Sequence, residues 1–408
     1  MPQILILNED VGGEKGATVQ ALSTAEDTEF RDEVRTWLRE NVPREPQPVE
    51  MTAMREFDSA WQRTQYEGGW AGIAWPTEYG GRGMTLNQQL IWYEEYVLAG
   101  GPEVGVNFVG LNHGGPTLIA RGSEEQKSQH LPRILRGEAV WCQGFSEPGA
   151  GSDLAGLSTR AEIDGDDLVV TGQKVWTSYA IVADHQELLV RTGRGESRHA
   201  GITWVINDMS NPGVDVRPIR TAARESHLFE VFFDEVRIPL SNVVGGVGNG
   251  WSVAMSTLGF ERGTAFTASA VALHKSVEEL IEVAGEVLGP DGRRPALADD
   301  ELAARLADLR AEVASLRAMI YALVSRNART ETPGAEGSMI KLYYAEVSQR
   351  LYLLAMDVLG PDGMRFVHKQ TLGGWTGGYL YSLSSSIGGG TSEIQRNIIG
   401  ERVLGLPR

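Results

Sequence analysis

Residues able to hold a large, flat, polar-edged cofactor concentrate between Trp141 and Ser178, in WCQGFSEPGAGSDLAGLSTRAEIDGDDLVVTGQKVWTS. Gly149 and Gly151 let backbone N–H groups come close to a ligand. Ser146, Ser152 and Ser178 carry hydroxyls that can donate to ring carbonyls, ring nitrogens or phosphates. Trp176 offers a broad face for stacking. The same residues also describe a β-hairpin turning at Asp164-Gly165, with a Gly-rich turn before it and a core tryptophan after it. Spacing alone leaves both readings open.

Other reactive side chains are few. Cys142 is the single cysteine, so no intrachain disulfide can form. In an apolar context beside Trp141 it reads as a small buried residue rather than a nucleophile. His113, in NHGG, reads as structural and has no evident partner. Glu261-Arg262, in LGFERG, reads by itself as a charged pair on a solvated helix. The glycine-rich run from Asn242 to Gly250 does not fit G-x-G-x-x-G and no β-α-β unit surrounds it, so it reads as a linker. No metal site is expected.

The elements that must position these residues fall into three groups. A length of 408 residues is enough for two or three domains sharing a large core. The expected layout is a tail over 1–22, a helical domain over 23–138, a β-domain over 139–243 and a helical bundle over 244–408. In the first third, Ser23-x-x-Glu26, Thr85-x-x-Gln88 and Ser123-x-x-Gln126 read as capping boxes opening helices, and Pro132 is expected to kink or split the last of them. LVVTGQKVW, ELLVRT, GITWVIN, VDVRPI and LFEVFFDEVRIP read as strands of a compact barrel or sandwich. Helices are expected over 251–287, 299–329, 337–359 and 391–404, enough for a four-helix bundle. The formal charge of −17 argues against a nucleic-acid surface. It also means that a site for an anionic ligand is built from local donors. No apolar run reaches membrane-spanning length, and MPQILILNED lacks the basic start of a signal peptide. A cytoplasmic protein is expected.

FSEPGAGSD followed by KVWTS resembles the flavin platform of the acyl-CoA dehydrogenase family. The likeness runs on through GGWAGIAWPTEYGG, FFDEVRIPLSNVVG, LGFERG and GGTSEIQRNIIGERVLGLPR, in the family's order. It implies an α+β, mainly helical fold with an N-terminal helical domain, a central β-barrel domain and a C-terminal four-helix bundle. It implies FAD as cofactor and an acyl-CoA thioester as substrate, oxidised to the 2-enoyl-CoA. A carboxylate takes the α-proton while the β-hydrogen leaves as hydride to flavin N5. Residue by residue, the resemblance assigns Trp176, Ser178, Thr177, Ser146 and Gln143 to the flavin. Ser152 serves both cofactor and the CoA-bearing part of the substrate. Gln370, Gly373 and Gly374, in QTLGG, match a segment reaching a neighbouring subunit's FAD. Thr391 and Glu393 match contacts to its adenosine half, and Thr391 is also a plain helix cap.

Two departures from the family pattern are informative. Many members carry Tyr-Glu just before the Gly-Thr of GTSEIQR, the glutamate being the base; here Gly389 stands in its place. In a second branch the base precedes an arginine on the first bundle helix, which matches Glu261 before Arg262. The resemblance therefore implies Glu261 as base, with Arg262 and Gly389 lining the substrate. Loss of side chains at Gly388–Gly390 points to a branched or bulky acyl group, such as a steroid side chain. The second departure is an Arg-x-x-Phe-Gly stretch that contacts a partner's FAD in many members and is missing from EVAGEVLGPDGRRPALADD, where Arg293 or Arg294 is the available substitute. A homotetramer and a heterotetramer with an unlike chain of the same family both follow from the resemblance, with electron-transfer flavoprotein as acceptor. Two rivals are a non-catalytic or half-catalytic partner subunit, and a monooxygenase or oxidase on the same scaffold.

Overall fold

The computed structural model describes residues 24–193, 195–224, 227–260, 266–330, 334–369 and 373–407. The expected tail over 1–22 therefore lies outside the described residues.

Five helices open the fold: α1 (Ala25–Asn41), α2 (Met51–Glu67), α3 (Leu86–Leu98), α4 (Gly115–Arg121) and α5 (Glu124–Leu135). The boxes at Thr85/Gln88 and Ser123/Gln126 form as expected. The first box sits one residue later than expected: Thr24 accepts from the Asp27 amide, and the Asp27 carboxylate accepts from the Thr24 amide. Pro132 does not split α5. It removes only the hydrogen bond to the Ser128 carbonyl, and Ser128 is exposed, so water can replace it.

The middle of the chain forms one sheet from β1 (Trp141–Gly144), β2 (Arg160–Asp164), β3 (Asp167–Ser178), β4 (His185–Arg191), β5 (Ile202–Asp208), β6 (Val214–Pro218), β7 (Leu228–Pro239) and β8 (Val243–Val244). Its order is β6-β7-β3-β2-β4-β5-β8, with β1 parallel to β4. The β2–β3 hairpin pairs Asp164 with Asp167, and Gly165 in its turn has φ +61°. β5 and β7 are far apart in this order yet touch, so the sheet curls. Alternation along the central strands sends residues to two cores. Cys142, Leu188, Val190 and Val205 face the interior with Phe229, Val231 and Phe233. Trp141, Leu189, Trp204 and Ile206 face outward onto Leu118, Leu131 and Ile134 of the helices. Burial on both faces explains why β4 and β5 read as unbroken apolar runs.

The stretch from Asn242 to Gly250 is a fastened connection rather than a slack linker. β8 pairs with β5, the Gly248 amide donates to Thr203 Oγ1 at 2.8 Å, and a Cβ on Gly250 would lie 2.3 Å from the Trp204 nitrogen. The expected helix over 251–287 is described as α6 (Gly250–Phe260) and α7 (Phe266–Glu286), with 261–265 outside the described residues. α8 (Asp300–Thr330) and α9 (Gly337–Leu359) follow. An additional helix, α10 (Trp375–Ser382), puts Trp375 into the bundle core with α7, α8 and α9. Leu90 of α3 joins the same core. α11 (Ser392–Ile398) is shorter than expected and passes into a wider turn over Ile399–Val403. The three regions are tied together: Arg55 holds Asp184, Thr117 meets Thr257 at 2.8 Å, and Glu94 accepts from both Arg31 and Arg317.

Candidate active site

The site grows from an irregularity in β3. Its register against β7 slips between Lys174 and Thr177, so one strand carries an extra residue there. Lys174 and Thr177 point inward and are fully buried, while Trp176 is thrown outward, 57% exposed. Trp176 has φ +62° and Tyr179 φ +60°. Bulky residues rarely adopt left-handed backbone, and such strain persists only where surrounding contacts impose it. Those contacts are present. The Val175 amide donates to the Ser146 carbonyl at 3.0 Å, and the Tyr179 amide donates to the His227 carbonyl at 2.7 Å.

A buried ion pair anchors the loop before the hairpin to this strand. Lys174 Nζ donates to Glu147 Oε1 at 2.8 Å and to the Phe145 carbonyl at 3.1 Å. Glu147 also accepts from the Ser158 amide at 2.7 Å and the Thr159 amide at 2.9 Å. Burial pushes the Glu147 carboxyl up, but Lys174 and these donors outweigh it and hold it down at about 2. Burial pushes Lys174 down to about 8 against the pull of Glu147. In the sequence the two are the E of SEPG and the K of KVWTS, 27 residues apart, and neither motif by itself signals a buried pair.

The surface so built fits a flat cofactor. Trp176 presents an exposed ring, Ser178 two residues on and Ser146, joined to Val175 through its carbonyl, are half-buried, and Ser152 is exposed. A Cβ on Gly149 or Gly151 would meet nothing within 4 Å, so the glycine loop faces open space. Thr177 Oγ1 is buried and has no hydrogen-bond partner among the described residues. That hydroxyl lies on the buried side of β3, opposite the exposed Trp176 ring. Cys142 is fully buried and burial raises its pKa, so it stays a thiol. His113 does have partners, contrary to expectation: Gln143 and Glu187 lie within 3.2 and 3.4 Å of its Nδ1.

The C-terminal candidates form a separate group. Gly389 and Gly390 have φ +65° and +91°, backbone that favours glycine. Lys341 Nζ, 8% exposed, donates to the Ser385 carbonyl at 3.0 Å and the Gly390 carbonyl at 2.6 Å. Gln395 donates to the Gly389 and Gly390 carbonyls. Thr391 caps α11, accepting from the Ile394 amide at 3.3 Å. Glu393 is exposed, its pKa lowered by its own backbone amide and by Thr391. Gly373 has φ +75° and Gly374 opens α10. Among the described residues no hydrogen bond joins Thr391 or Glu393 to the Trp176 platform. Arg294 pairs with Asp291 of its own loop. Glu261, Arg262 and Gln370 lie outside the described residues; α6 ends at the residue before Glu261.

Among the described residues no three His, Cys, Asp or Glu side chains gather as a metal site, and no helix is long and apolar enough to cross a membrane. The chain matches the family models of the acyl-CoA dehydrogenase N-terminal domain over residues 24–138, the middle domain over 142–236 and the C-terminal domain over 248–404. It is 41% identical over 389 residues to acyl-CoA dehydrogenase IpdE1 of Mycobacterium tuberculosis, covering 93% of this chain and 98% of that protein. It is 36% identical over 352 residues to acyl-CoA dehydrogenase FadE26 of the same organism, covering 83% and 86%. Among solved structures, a steroid ACAD, Tcur3481-Tcur3483, matches with a TM-score of 0.81 at 30% identity, over 95% of this chain and 99% of that one. The ChsE4-ChsE5 complex of Mycobacterium tuberculosis matches with a TM-score of 0.80 at 33% identity, over the same shares.

Proposed function

This chain belongs to the acyl-CoA dehydrogenase family, and from that premise we propose that it binds FAD and oxidises a bulky acyl-CoA thioester to the 2-enoyl-CoA. Bound FAD supplies the acceptor for the β-hydrogen. Trp176 stacks on the cofactor's ring system, and Gln143, Ser146 and Ser178 hydrogen-bond its edge, while Thr177 supports Trp176 and Ser178 from the buried side of β3. Ser152 meets the region where cofactor and CoA approach. Glu261 takes the α-proton, with Arg262 and Gly389 beside the substrate. Gln370, Gly373, Gly374, Thr391 and Glu393 hold the far half of the cofactor. The observation that carries the reading is the strained and exposed Trp176, tied through Val175 and Ser146 to an open glycine loop.

A bulky acyl group is supported by the triple-glycine turn. A Cβ on Gly388 would meet only the Ser384 carbonyl, 3.7 Å away, so this wall leaves room. One solved relative is described as a steroid ACAD, which supports a ring-bearing acyl chain here. Two solved relatives pair unlike chains, which supports a heterotetramer with another acyl-CoA dehydrogenase chain over a homotetramer. Electron-transfer flavoprotein is the natural acceptor in this reading. The functional division is a helical domain over 23–138, a β-domain over 139–243 and a bundle over 244–408.

The test is anaerobic addition of an acyl-CoA panel to the purified yellow protein. Bleaching of the flavin band by steroid-side-chain or branched acyl-CoAs, faster than by butyryl- or hexanoyl-CoA, is expected. A profile peaking at the short straight chains contradicts the substrate class. A second reading, a partner subunit lacking its own redox site, follows from the two-chain relatives. It predicts a colourless protein that gains no flavin on reconstitution.

A further inference from the structure

A carboxylate buried in the middle of β4 plays no part in the function argued above. Glu187 has no exposed surface at all. It sits directly opposite Gln143 in the parallel β1–β4 pairing. Gln143 Nε2 donates to Glu187 Oε1 at 2.7 Å and lies 3.2 Å from His113 Nδ1. His113, also buried, comes from a wide helical turn over Gly110–Gly114 that sits tight on β1: a Cβ on Gly114 would lie 2.9 Å from the Trp141 ring. Phe108 packs its ring edge-on against His113.

This geometry fixes the Gln143 amide. A carboxylate only accepts, so the amide nitrogen, not its oxygen, faces Glu187. His113 Nδ1 lies 3.2 Å from the same amide nitrogen and 3.4 Å from Glu187 Oε1, closing the cluster on that side. With its nitrogen turned to Glu187 and His113, the amide leaves Oε1 on the opposite side as an acceptor. Burying a carboxylate is a costly way to join two strands that an apolar pair would join at least as well. Three residues after Gln143 comes Ser146, at the rim of the Trp176 platform.

We propose that Glu187 and His113 are positioning residues that hold Gln143 as a hydrogen-bond acceptor for an N–H or O–H group on the bound cofactor. The proposal rests on the flavin reading. It predicts that Glu187 and Gln143 act on cofactor binding as one unit, although Glu187 never touches the cofactor.

The test titrates FAD into the flavin-free full-length protein, in its native oligomer, and measures the dissociation constant together with the melting temperature. Gln143→Leu is expected to weaken FAD by about tenfold, the loss of one good hydrogen bond. Glu187→Leu is expected to weaken it comparably, and the double variant no further than either single one. Glu187→Gln keeps an acceptor at the same place and is expected to restore most of the affinity. His113→Phe supplies an independent arm should Glu187→Leu not fold: part of the same loss, absent in a Gln143→Leu background. Wild-type FAD affinity in Glu187→Leu or His113→Phe, whatever the melting temperature, overturns the proposal, as do losses that simply add. Wild-type protein that takes up no FAD contradicts the flavin reading itself, and the positioning role with it.

Discussion

Near the end of β3 the buried Lys174 donates to a carboxylate, whereas Lys341 of α9, behind the turn before α11, donates to backbone carbonyls, with Glu393 acting on it only at longer range. Both lysines hold left-handed backbone in place, and burial lowers the pKa of both. The outcomes are opposite. Around Lys174 the strained position carries the largest side chain available, Trp176, and pushes it into the open. Around Lys341 the left-handed positions are Gly389 and Gly390, and the turn presents bare backbone. In the function proposed above, the first arrangement makes the cofactor's platform and the second a wall of the acyl pocket. A buried charge facing a buried charge is rigid but fails badly when one partner is lost. A buried ammonium shared among carbonyls is a softer tie: Glu393, the carboxylate acting on Lys341, is exposed and is not stranded when the lysine is lost.

The largest effect expected from this contrast concerns a residue in neither turn. Glycine cannot move a proton, and in the function proposed above the base is Glu261, so Glu261→Gln is expected to slow flavin bleaching by roughly 10²–10⁴. FAD content should be unchanged, because the platform is untouched; stopped-flow absorbance with the preferred acyl-CoA reads both. Bleaching at the wild-type rate would return the base to some other residue or chain.

Next come the two lysines. Lys174→Met leaves Glu147 buried without its counter-ion and should cost about 3–5 kcal/mol, with loss of FAD. Lys341→Met strands only carbonyls and should cost about 1–3 kcal/mol. Denaturant unfolding of the two variants orders them, and equal costs would erase the distinction drawn here. The pH dependence has a definite sign. Glu147 is held at about 2, below its ordinary 4.5, so its stabilisation is complete above 4.5 and is lost as pH falls through about 2. Without Lys174 its pKa rises, and the acid limb of the stability curve should move toward neutral pH.

The smallest effect is expected in the wall. Gly389→Glu restores a carboxylate where many relatives have one, but φ at this position is +65°. A side chain there should cost about 1–2 kcal/mol of stability. Combined with Glu261→Gln it should recover only a fraction of the bleaching rate, because the turn must first relax. Full recovery at unchanged stability would mean that the turn adapts freely.

Much of this was legible in the sequence, for reasons that differ from element to element. β3 and β7 were readable because turn residues bracket runs rich in valine, phenylalanine and isoleucine. The boxes at Thr85 and Ser123 were readable because their partners lie three residues on, within reach of local geometry alone. α10 was missed because WTGGYLYS holds two glycines, each there to admit a neighbour: a Cβ on Gly378 would lie 2.4 Å from Tyr352. The partners of His113 were invisible because they lie 30 and 74 residues further on, and only the parallel pairing of β1 with β4 brings them together. Glu147 and Lys174 were missed for the same reason: they lie 27 residues apart, and each is an ordinary surface residue type until the loop after β1 folds onto β3.

The platform claim is tested most directly by Trp176→Gly, read by FAD titration and thermal unfolding in the same samples. If Trp176 is held under strain for the cofactor, glycine at φ +62° relieves that strain and little packing is lost from a side chain already 57% exposed. FAD affinity should then fall by about tenfold or more, the loss of a stacked aromatic face, while the melting temperature of the flavin-free protein holds or rises. A flavin-free protein that melts several degrees lower and still binds FAD as tightly as wild type would make Trp176 a piece of the core and contradict the account.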